Sequence, residues 1–387
     1  MLEPGEVCDD GNLVPGDGCE PDCTSSDDVP PEFVLTMGGP DGYADCGTGV
    51  AFDSEGNLIV AGLVTGNVWI RKFDPAYQEL WTVTYPGALG ANISHNFVAV
   101  DSQDNIAFAG LVGTLDNYDW LVGLLDPDGG EVWSTVYDGP VMRGDFPHGI
   151  AVDSHDAIVV VGDRENPMNG VESAIMKFAN DGTLLWSDFS GPKEGALSVD
   201  VDACDSILVS AFEYGKKTDA DIVVRKYDTD GGLLWKQVES TPTTDWATGI
   251  GVDAWGRSVA VGGVLGNGGV TFDFWARQYD AAGNEGWTVY YDGGANASDN
   301  FLAVSVAAEG RSLAVGGHSV SSNHMVAVVV HFDAAGQLLW SRDLDLIGGP
   351  DAWHAVARAD DGRIGVAGCS SLAFPNDDEA HFAVYPP

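Results

Sequence analysis

Six tryptophans divide most of this chain into segments of nearly equal length. The spacings between successive members are 52, 53, 49, 52 and 53 residues. Each tryptophan ends a version of one short phrase, whose full form stands at residues 227–235: an aromatic residue, Asp, two turn residues, Gly, three further residues and Trp. An Asp–Gly turn between two strand-forming segments is typical of a β-hairpin. The tryptophans are Trp81, Trp133, Trp186, Trp235, Trp287 and Trp340.

A second phrase precedes each hairpin. Residues 100–110 contain one copy, and residues 152–162, 252–262 and 306–316 contain others. In the first three copies a strand leads through an Asp-containing turn to a short apolar strand that ends at Gly, and in the fourth Ala307 stands at the Asp position. The two phrases together predict four strands, A to D, in every unit of about fifty residues. Such units are typical of the blades of a β-propeller, which stack radially and bury their faces on one another.

The number of phrases predicts how many blades there are and how the ring closes. Seven A–B phrases are present but only six C–D turns, because the last unit ends with its strand C at residues 382–385. Residues 33–37 align with the strand that begins at Trp133, and Phe33 falls at the tryptophan position. We therefore predict an all-β, seven-bladed β-propeller with four-stranded blades, in which strand 33–37 completes the C-terminal blade. Such closure protects sheet edges from aggregation.

Two stretches resemble known families. Residues 3–23, with Cys-Asp-Asp-Gly-Asn followed by Gly-Asp-Gly-Cys, resemble the myxobacterial cysteine-rich repeat. The units of residues 33–387 resemble the seven-bladed propeller repeats of bacterial surface proteins and, more loosely, quinoprotein dehydrogenase repeats. We therefore expect a short, disulfide-rich partial repeat at residues 1–28 and a propeller at residues 29–387. The crowding of Cys8, Cys19 and Cys23 indicates an oxidising, extracellular or cell-surface location.

Charge and hydropathy disfavour several classes of function. The chain has 59 acidic and 17 basic residues, a formal net charge of −42, which disfavours binding to nucleic acid or anionic lipid by charge. No apolar run approaches the ~20 residues of a membrane helix, so we expect no membrane insertion. Apolar residues make up 44% of the chain, enough for a large core. We expect a monomer, or a module of a larger chain, whose partner is a protein or glycan on an extracellular surface.

An acidic residue stands eight positions before the turn of almost every A–B phrase. These positions lie in the D–A connections, which share one face of a propeller with the B–C loops. Two interpretations are open: a ring of carboxylates that binds a cation or cationic ligand at the channel mouth, or carboxylates that each fix their own loop by accepting backbone N–H groups. The residues are Asp45, Asp145, Glu194, Asp245, Asp299 and Asp351, with Ile93 in the remaining unit.

Histidines and aromatic residues are expected at the same level of the ring as these acidic residues. The blades are numbered 1 to 7 along the chain. One interpretation is a ligand mouth with aromatic stacking surfaces, and the other is ordinary half-exposed loop residues. A zinc site made of the histidines of blades 2, 3 and 7 is disfavoured, since these blades are not all neighbours. Phe301 belongs to the same group, and the candidate ligand-binding residues are His95, His148, His354, Trp246, Trp353, Asp145, Asp245, Asp299 and Asp351.

The N-terminal segment contains a candidate calcium site. Four oxygen-bearing side chains lie in a small cysteine-rich loop with little core, which could gain stability from a hard cation. Turn chemistry alone also accounts for Asp and Asn at these positions. The candidate ligands are Asp9, Asp10, Asn12 and Asp17.

Two cysteines are placed to lock the ring. Cys46 precedes strand A of blade 1, and Cys369 follows strand B of blade 7. These blades are neighbours across the closure, so we predict a disulfide between the two residues, provided that their Cα atoms lie ~4.4–6.8 Å apart. Cys204 falls in an A–B turn on the opposite face, where it is free or pairs with the N-terminal segment.

The sequence carries no linear catalytic motif such as G-x-S-x-G, H-E-x-x-H or a P-loop. The function that we predict is therefore a non-catalytic binding or scaffold propeller, which contacts protein or glycan through its loop faces. The alternative is a propeller hydrolase or lyase with a divalent ion at the acidic channel mouth, since propeller enzymes can carry their catalytic residues in loops without any linear motif.

Overall fold

Seven four-stranded antiparallel sheets form the blades of a ring in the computed structural model of the chain. The structure describes residues 30–38, 45–87, 97–114, 117–141, 144–167, 170–214, 220–239, 244–265, 271–291, 298–321, 324–345, 351–371 and 378–387. These residues form strands and turns, and no helix among them has the length and hydropathy that a membrane crossing needs. The predicted all-β, seven-bladed propeller is confirmed.

Each blade runs from an innermost strand A, which faces the strands A of its neighbours, to an outermost strand D. The strands are β2 (Cys46–Phe52), β3 (Leu58–Val64), β4 (Asn67–Phe73) and β5 (Glu79–Pro86) in blade 1; β6 (Phe97–Val100), β7 (Ile106–Thr114), β8 (Asn117–Leu125) and β9 (Glu131–Tyr137) in blade 2; β10 (Phe146–Val152), β11 (Ile158–Asn166), β12 (Gly170–Phe178) and β13 (Leu184–Pro192) in blade 3; β14 (Glu194–Val201), β15 (Ile207–Tyr214), β16 (Ala220–Tyr227) and β17 (Leu233–Glu239) in blade 4; β18 (Asp245–Val252), β19 (Ser258–Leu265), β20 (Phe272–Tyr279) and β21 (Glu285–Tyr291) in blade 5; β22 (Asn300–Val306), β23 (Ser312–Ser321), β24 (His324–Phe332) and β25 (Leu338–Leu344) in blade 6; and β26 (Asp351–Arg358), β27 (Ile364–Ser371), β28 (Asp378–Tyr385) and β1 (Phe33–Met37) in blade 7.

The ring closes as predicted. Strand β1 pairs antiparallel with β28, in a register that runs from Phe33 opposite Val384 to Met37 opposite Ala380. A disulfide joins Cys46 to Cys369 with their Cα atoms 4.7 Å apart, which confirms the predicted bond between blades 1 and 7. The cysteine-rich segment predicted at residues 1–28, with its candidate calcium ligands Asp9, Asp10, Asn12 and Asp17, lies outside the described residues.

The hydrophobic core is divided among the interfaces between blades. Each of the seven interfaces contains one cluster of buried side chains, to which both neighbouring blades contribute. The cluster between blades 4 and 5, for example, contains Leu208 and Val224 from one blade and Ala260 and Trp275 from the other. A blade therefore buries both of its faces only when it has a neighbour on each side.

The repeated tryptophan joins one blade to the next at five of the seven joints. The indole N–H of Trp235 in blade 4 donates a hydrogen bond to the carbonyl oxygen of Ala281, in the C–D turn of blade 5, at 3.2 Å. The same bond recurs with N···O distances of 2.8–3.2 Å at Trp81, Trp133, Trp186 and Trp287. The phrase that marks the sequence repeat therefore has two halves that meet across an interface: the Trp of one blade and the turn of the next.

The Gly of the phrase is required by this contact. Gly283 has φ +84°, and a Cβ at this position would lie 2.7 Å from Cδ2 of Trp235. The Asp of the phrase holds the turn that brings the glycine there: in blade 4, Oδ1 of Asp228 accepts the backbone N–H groups of Asp230 and Gly232. A left-handed residue with no side chain lets the turn lie flat against the indole ring.

Buried ion pairs strengthen the same joint in three blades. Lys72 contacts Asp53 at 2.8 Å and also donates to the carbonyl oxygen of Pro127 in blade 2, which is the carbonyl that accepts the Trp81 indole N–H. Burial alone would raise the pKa of Asp53, but hydrogen bonds from Lys72 and Asn57 outweigh burial and lower it. Lys177 with Asp153 and Lys226 with Asp202 repeat this pair in blades 3 and 4.

The joint between blades 7 and 1 differs at both of its halves. Phe33 stands at the tryptophan position, and Tyr77, with φ +60°, stands where the other blades have glycine. The two rings stack with centroids 4.7 Å apart and an interplanar angle of 11°. The hydroxyl of Tyr77 donates to Glu32 at 3.1 Å. A ring stack thus replaces the indole hydrogen bond where the first strand of the described propeller meets blade 1.

We expect Gly283→Ala to destabilise the protein more than Gly170→Ala. Gly170 also has positive φ (+76°), but a Cβ there would have no atom within 4 Å. Gly170→Ala should therefore cost only the left-handed conformation of a residue with a side chain, about 1 kcal/mol. Gly283→Ala should add an overpacking cost of about 1–3 kcal/mol against Trp235.

Denaturant unfolding of the two variants followed by tryptophan fluorescence measures this difference. Equal losses of unfolding free energy in the two variants would contradict the role that we assign to the turn glycine.

Candidate functional site

The central channel is lined by one kinked position of strand A in blade after blade. The A–B register skips one residue at the same place in six blades: Thr48, His148, Leu197, Thr248, Leu302 and His354. Such β-bulges re-aim a side chain out of the sheet. All six residues line one cavity of about 150 Å³ on the channel axis. The corresponding position 96 of blade 2 lies outside the described residues.

The glycine that ends the A–B phrase allows these bulges to form. A Cβ at Gly262 would lie 1.8 Å from the carbonyl oxygen of Trp246, and one at Gly162 would lie 2.0 Å from that of Phe146. At these two positions the bulged strand A therefore crosses too close above strand B for a side chain to fit. In blade 4 the same bulge forms opposite Ala211, so the glycine favours this channel lining in five of the six bulged blades.

Two histidines stand among these channel residues. His148 places Nε2 3.0 Å from Oδ2 of Asp163, on the paired strand β11. His354 places Nε2 3.5 Å from Sγ of Cys369, on the paired strand β27. Burial lowers the pKa of His354 to about 4, so this imidazole is neutral at pH 7. His95, the third predicted histidine, lies outside the described residues.

Five of the six carboxylates of the predicted ring are buried rather than exposed to the channel, and Glu194 is half-buried. Asp45, Asp145, Asp245, Asp299 and Asp351 are each at most 1% exposed. In four of them Oδ1 accepts the backbone N–H of the residue twenty positions later, at the end of strand B of the same blade: Thr65, Glu165, Leu265 and Ser319. These bonds support the interpretation that each carboxylate fixes its own blade. Their contact with a ligand stays a prediction.

Carboxylates do gather at the start of blade 3. Oxygen atoms of Asp119, Asp138 and Asp145 lie within 4.8 Å of one another. Burial raises the pKa of Asp145 to about 6, although it accepts hydrogen bonds from Glu165 and Gly139, and the charges of Asp119 and Asp138 add to the increase. Among the described residues, these three carboxylates form a cluster at the predicted acidic mouth.

An aromatic platform lies where strand A of blade 5 begins. We give this name to Trp246, Phe212, Tyr214 and Phe272. Trp246 stacks on Phe212 with ring centroids 6.4 Å apart and meets the edge of Phe272 at the same distance. Tyr214 meets the edge of Phe212 at 5.5 Å. Trp246 and Tyr214 are 42% and 43% exposed as whole residues, so the platform presents two aromatic residues to solvent.

The other two predicted mouth aromatics are in the core, which corrects that part of the prediction. Trp353 is fully buried in the cluster between blades 6 and 7, and Phe301 is fully buried against Phe274. The reason is the alternation of side chains along a strand. Trp246 follows Asp245 by one residue and faces solvent, whereas Trp353 follows Asp351 by two residues and faces inward. Trp353 therefore offers no surface to a ligand in this structure.

Asp163, Tyr214 and Phe212 are site residues that sequence reasoning missed. Asp163 follows His148 by fifteen residues, and Cys369 follows His354 by the same interval. Since strands A and B are antiparallel neighbours, this interval places the two side chains side by side. The interval of fifteen residues predicts this pairing only when the bulged register of strand A is known.

No family model matches the sequence, and no curated protein matches it. Solved structures share its fold. The WD40 domain of Pan2 from Neurospora crassa is 10% identical over 90% of this chain and 95% of that chain, with a TM-score of 0.51. The polysaccharide lyase Uly1 is 8% identical over 92% of this chain and 100% of that chain, with a TM-score of 0.54. A gluconolactonase from Xanthomonas campestris is 12% identical over 91% and 89%, with a TM-score of 0.43. At these identities the similarity to the two structures with TM-scores above 0.5, the Pan2 domain and Uly1, shows the propeller fold alone.

Proposed function

We propose that the protein is an extracellular, non-catalytic binding module that holds a glycan at the face where strands A begin. The observation that carries this proposal is the aromatic platform, with its two exposed aromatic residues. Trp246 stands two residues before the channel residue Thr248, so the platform lies beside the cavity. Aromatic rings that are apolar on one face and accessible on the other suit the stacking of sugar rings.

The charge of the chain narrows the class of glycan. With a net charge of −42, the protein repels polyanions at long range. We therefore infer a neutral or amino-sugar glycan rather than a sulfated or uronic-acid one. The disulfide between Cys46 and Cys369 supports an extracellular location, because such bonds persist in oxidising compartments.

Replacement of the platform should remove glycan capture. We expect Trp246→Ala to weaken binding in a glycan array by about 10-fold or more, as loss of a central aromatic anchor does. Trp255→Ala is the matched control, because Trp255 is 62% exposed but belongs to the A–B turn on the opposite face of the ring.

The two variants separate the possible outcomes. Equal binding by Trp246→Ala, Trp255→Ala and the parent chain would contradict a glycan site on the platform. Capture of a protein and of no glycan would show that the module binds a protein partner instead.

A second candidate function is hydrolysis or elimination on a polysaccharide, and the pair of His148 and Asp163 favours it. A histidine oriented by a carboxylate is the usual arrangement of a general base, and this one faces the channel cavity. Asp119, Asp138 and Asp145 would hold the divalent ion that this alternative requires. Uly1, which shares the fold, is a polysaccharide lyase, and its similarity supports this candidate only through the fold.

Product release from a panel of polysaccharides, with and without a chelator, tests the second candidate. If it is right, His148→Gln should lower turnover by about 10²–10⁴-fold, and the chelator should have a comparable effect. His155→Gln is the control, since the His155 side chain is 78% exposed in an A–B turn on the opposite face. Absence of turnover in the parent chain would contradict the candidate.

A further inference from the structure

The disulfide that closes the ring lies directly beside a histidine of the channel. Cys46 begins β2 of blade 1, Cys369 lies in β27 of blade 7, and His354 occupies the bulge of β26. Nε2 of His354 is 3.5 Å from Sγ of Cys369. The two sulfur atoms and the imidazole nitrogen all lie within 4.8 Å of one another.

This combination of ligand atoms arises from two departures from the repeat. In blade 3 the same bulge position also carries a histidine, but its partner fifteen residues later is Asp163. In blade 7 that partner is Cys369, and the neighbouring strand of blade 1 adds Cys46. Blade closure therefore brings two sulfur atoms and one nitrogen atom to a single point on the channel wall.

The cluster is sheltered on one side and open on the other. Cys46 is 6% exposed, whereas His354 lines the channel cavity of about 150 Å³. A small ion can therefore reach the histidine from the channel, and the sulfur atom of Cys46 is shielded from bulk solvent while Cys369 is half-buried. An accessible path and a sheltered ligand set are what a metal site needs.

We propose that Cys46, Cys369 and His354 form a zinc site when the disulfide is reduced. A phosphine reductant supplies the two electrons: the S–S bond breaks, the phosphine becomes its oxide with oxygen from one water molecule, and the two hydrogen atoms of that water complete the two thiols. Each thiol then releases its proton to solvent as its sulfur binds Zn²⁺. Two thiolates and one imidazole are a ligand set that Zn²⁺ prefers, and the channel leaves the fourth position open.

The geometry fits this coordination. Zn–S bonds of about 2.3 Å and Zn–N bonds of about 2.0–2.1 Å in a tetrahedron place the ligand atoms roughly 3.5–3.8 Å apart. Nε2 of His354 and Sγ of Cys369 are already separated by 3.5 Å. Once the S–S bond is broken, rotation of the two cysteine side chains moves the sulfur atoms apart without a shift of the backbone.

The ring does not depend on the disulfide alone, so reduction should leave the site in place. Strand β1 stays paired with β28 through five residue pairs. A continuous apolar cluster that includes Val50, Val60, Phe382 and Val384 joins blades 1 and 7. These contacts hold β2 beside β27 in the reduced protein.

Zinc titration of the full chain tests the proposal. The chain is reduced with a water-soluble phosphine, freed of it without oxygen, and titrated with Zn²⁺ against a chromophoric chelator. The reference is Cys46→Ser/Cys369→Ser, which retains Cys8, Cys19, Cys23 and Cys204 and so accounts for any zinc bound elsewhere. We expect the reduced parent chain to bind one more equivalent than the reference, and the oxidised parent chain to lack it.

Histidine variants test whether the extra zinc ion binds at this site. His354→Ala should weaken the affinity for this zinc ion by more than about 100-fold, because 100-fold is the upper range for loss of a residue that only supports a metal ligand. His148→Ala should leave the affinity unchanged. Co²⁺ in place of Zn²⁺ should give more thiolate-to-metal charge-transfer absorption in the reduced parent chain than in Cys46→Ser/Cys369→Ser. The proposal is overturned by the absence of an extra equivalent, by an unchanged affinity in His354→Ala, or by loss of the near-ultraviolet circular dichroism of the tryptophans on reduction.

Discussion

The contact between the tryptophan of one blade and the turn of the next is the interaction on which the structure depends. The indole N–H bonds to a carbonyl of the neighbouring C–D turn, and the ring covers the glycine of that turn. Buried pairs such as Lys72 with Asp53 converge on the same carbonyl. Because each interface also holds its own apolar cluster, stability accumulates interface by interface, and a closed ring satisfies every blade on both faces.

The candidate functional residues lie where the repeat varies rather than where it is constant. The bulge of strand A recurs from blade to blade, but its residue changes from Thr to Leu to His. The backbone therefore presents a fixed set of positions around the channel, and the chain fills them with different chemistry. The aromatic platform follows the same principle, since Trp246 occupies a position in blade 5 that is Ala352 in blade 7.

The fold and its closure could be predicted from the sequence because both are recorded in the spacing of a few residues. The tryptophan interval fixed the blade, and Phe33 at a tryptophan position fixed the closing strand. The pairing of Cys46 with Cys369 followed from the circular order of blades. None of these predictions required knowledge of where any side chain points.

The candidate site was harder to predict because it depends on side-chain direction. A bulge adds one residue to strand A and reverses the alternation beyond it, and nothing in the sequence marks the skipped residue. The partnership of His148 with Asp163 depends on this register, whereas the burial of Trp353 follows from ordinary alternation, because it stands two residues after the buried Asp351 and before the bulge. The buried carboxylates had two possible roles in the sequence, and only the hydrogen bonds distinguish them.

Hydrogen exchange of the backbone amides of β28 tests the closed ring most directly. In blades 1 to 6 strand C lies between two partners, and β28 has two partners only when β1 pairs with it. The account predicts that β28 in the full chain is protected as strongly as β16 or β20, and that a chain beginning at residue 38 loses this protection. Exchange of β28 at the rate of an edge strand in the full chain would contradict the closure.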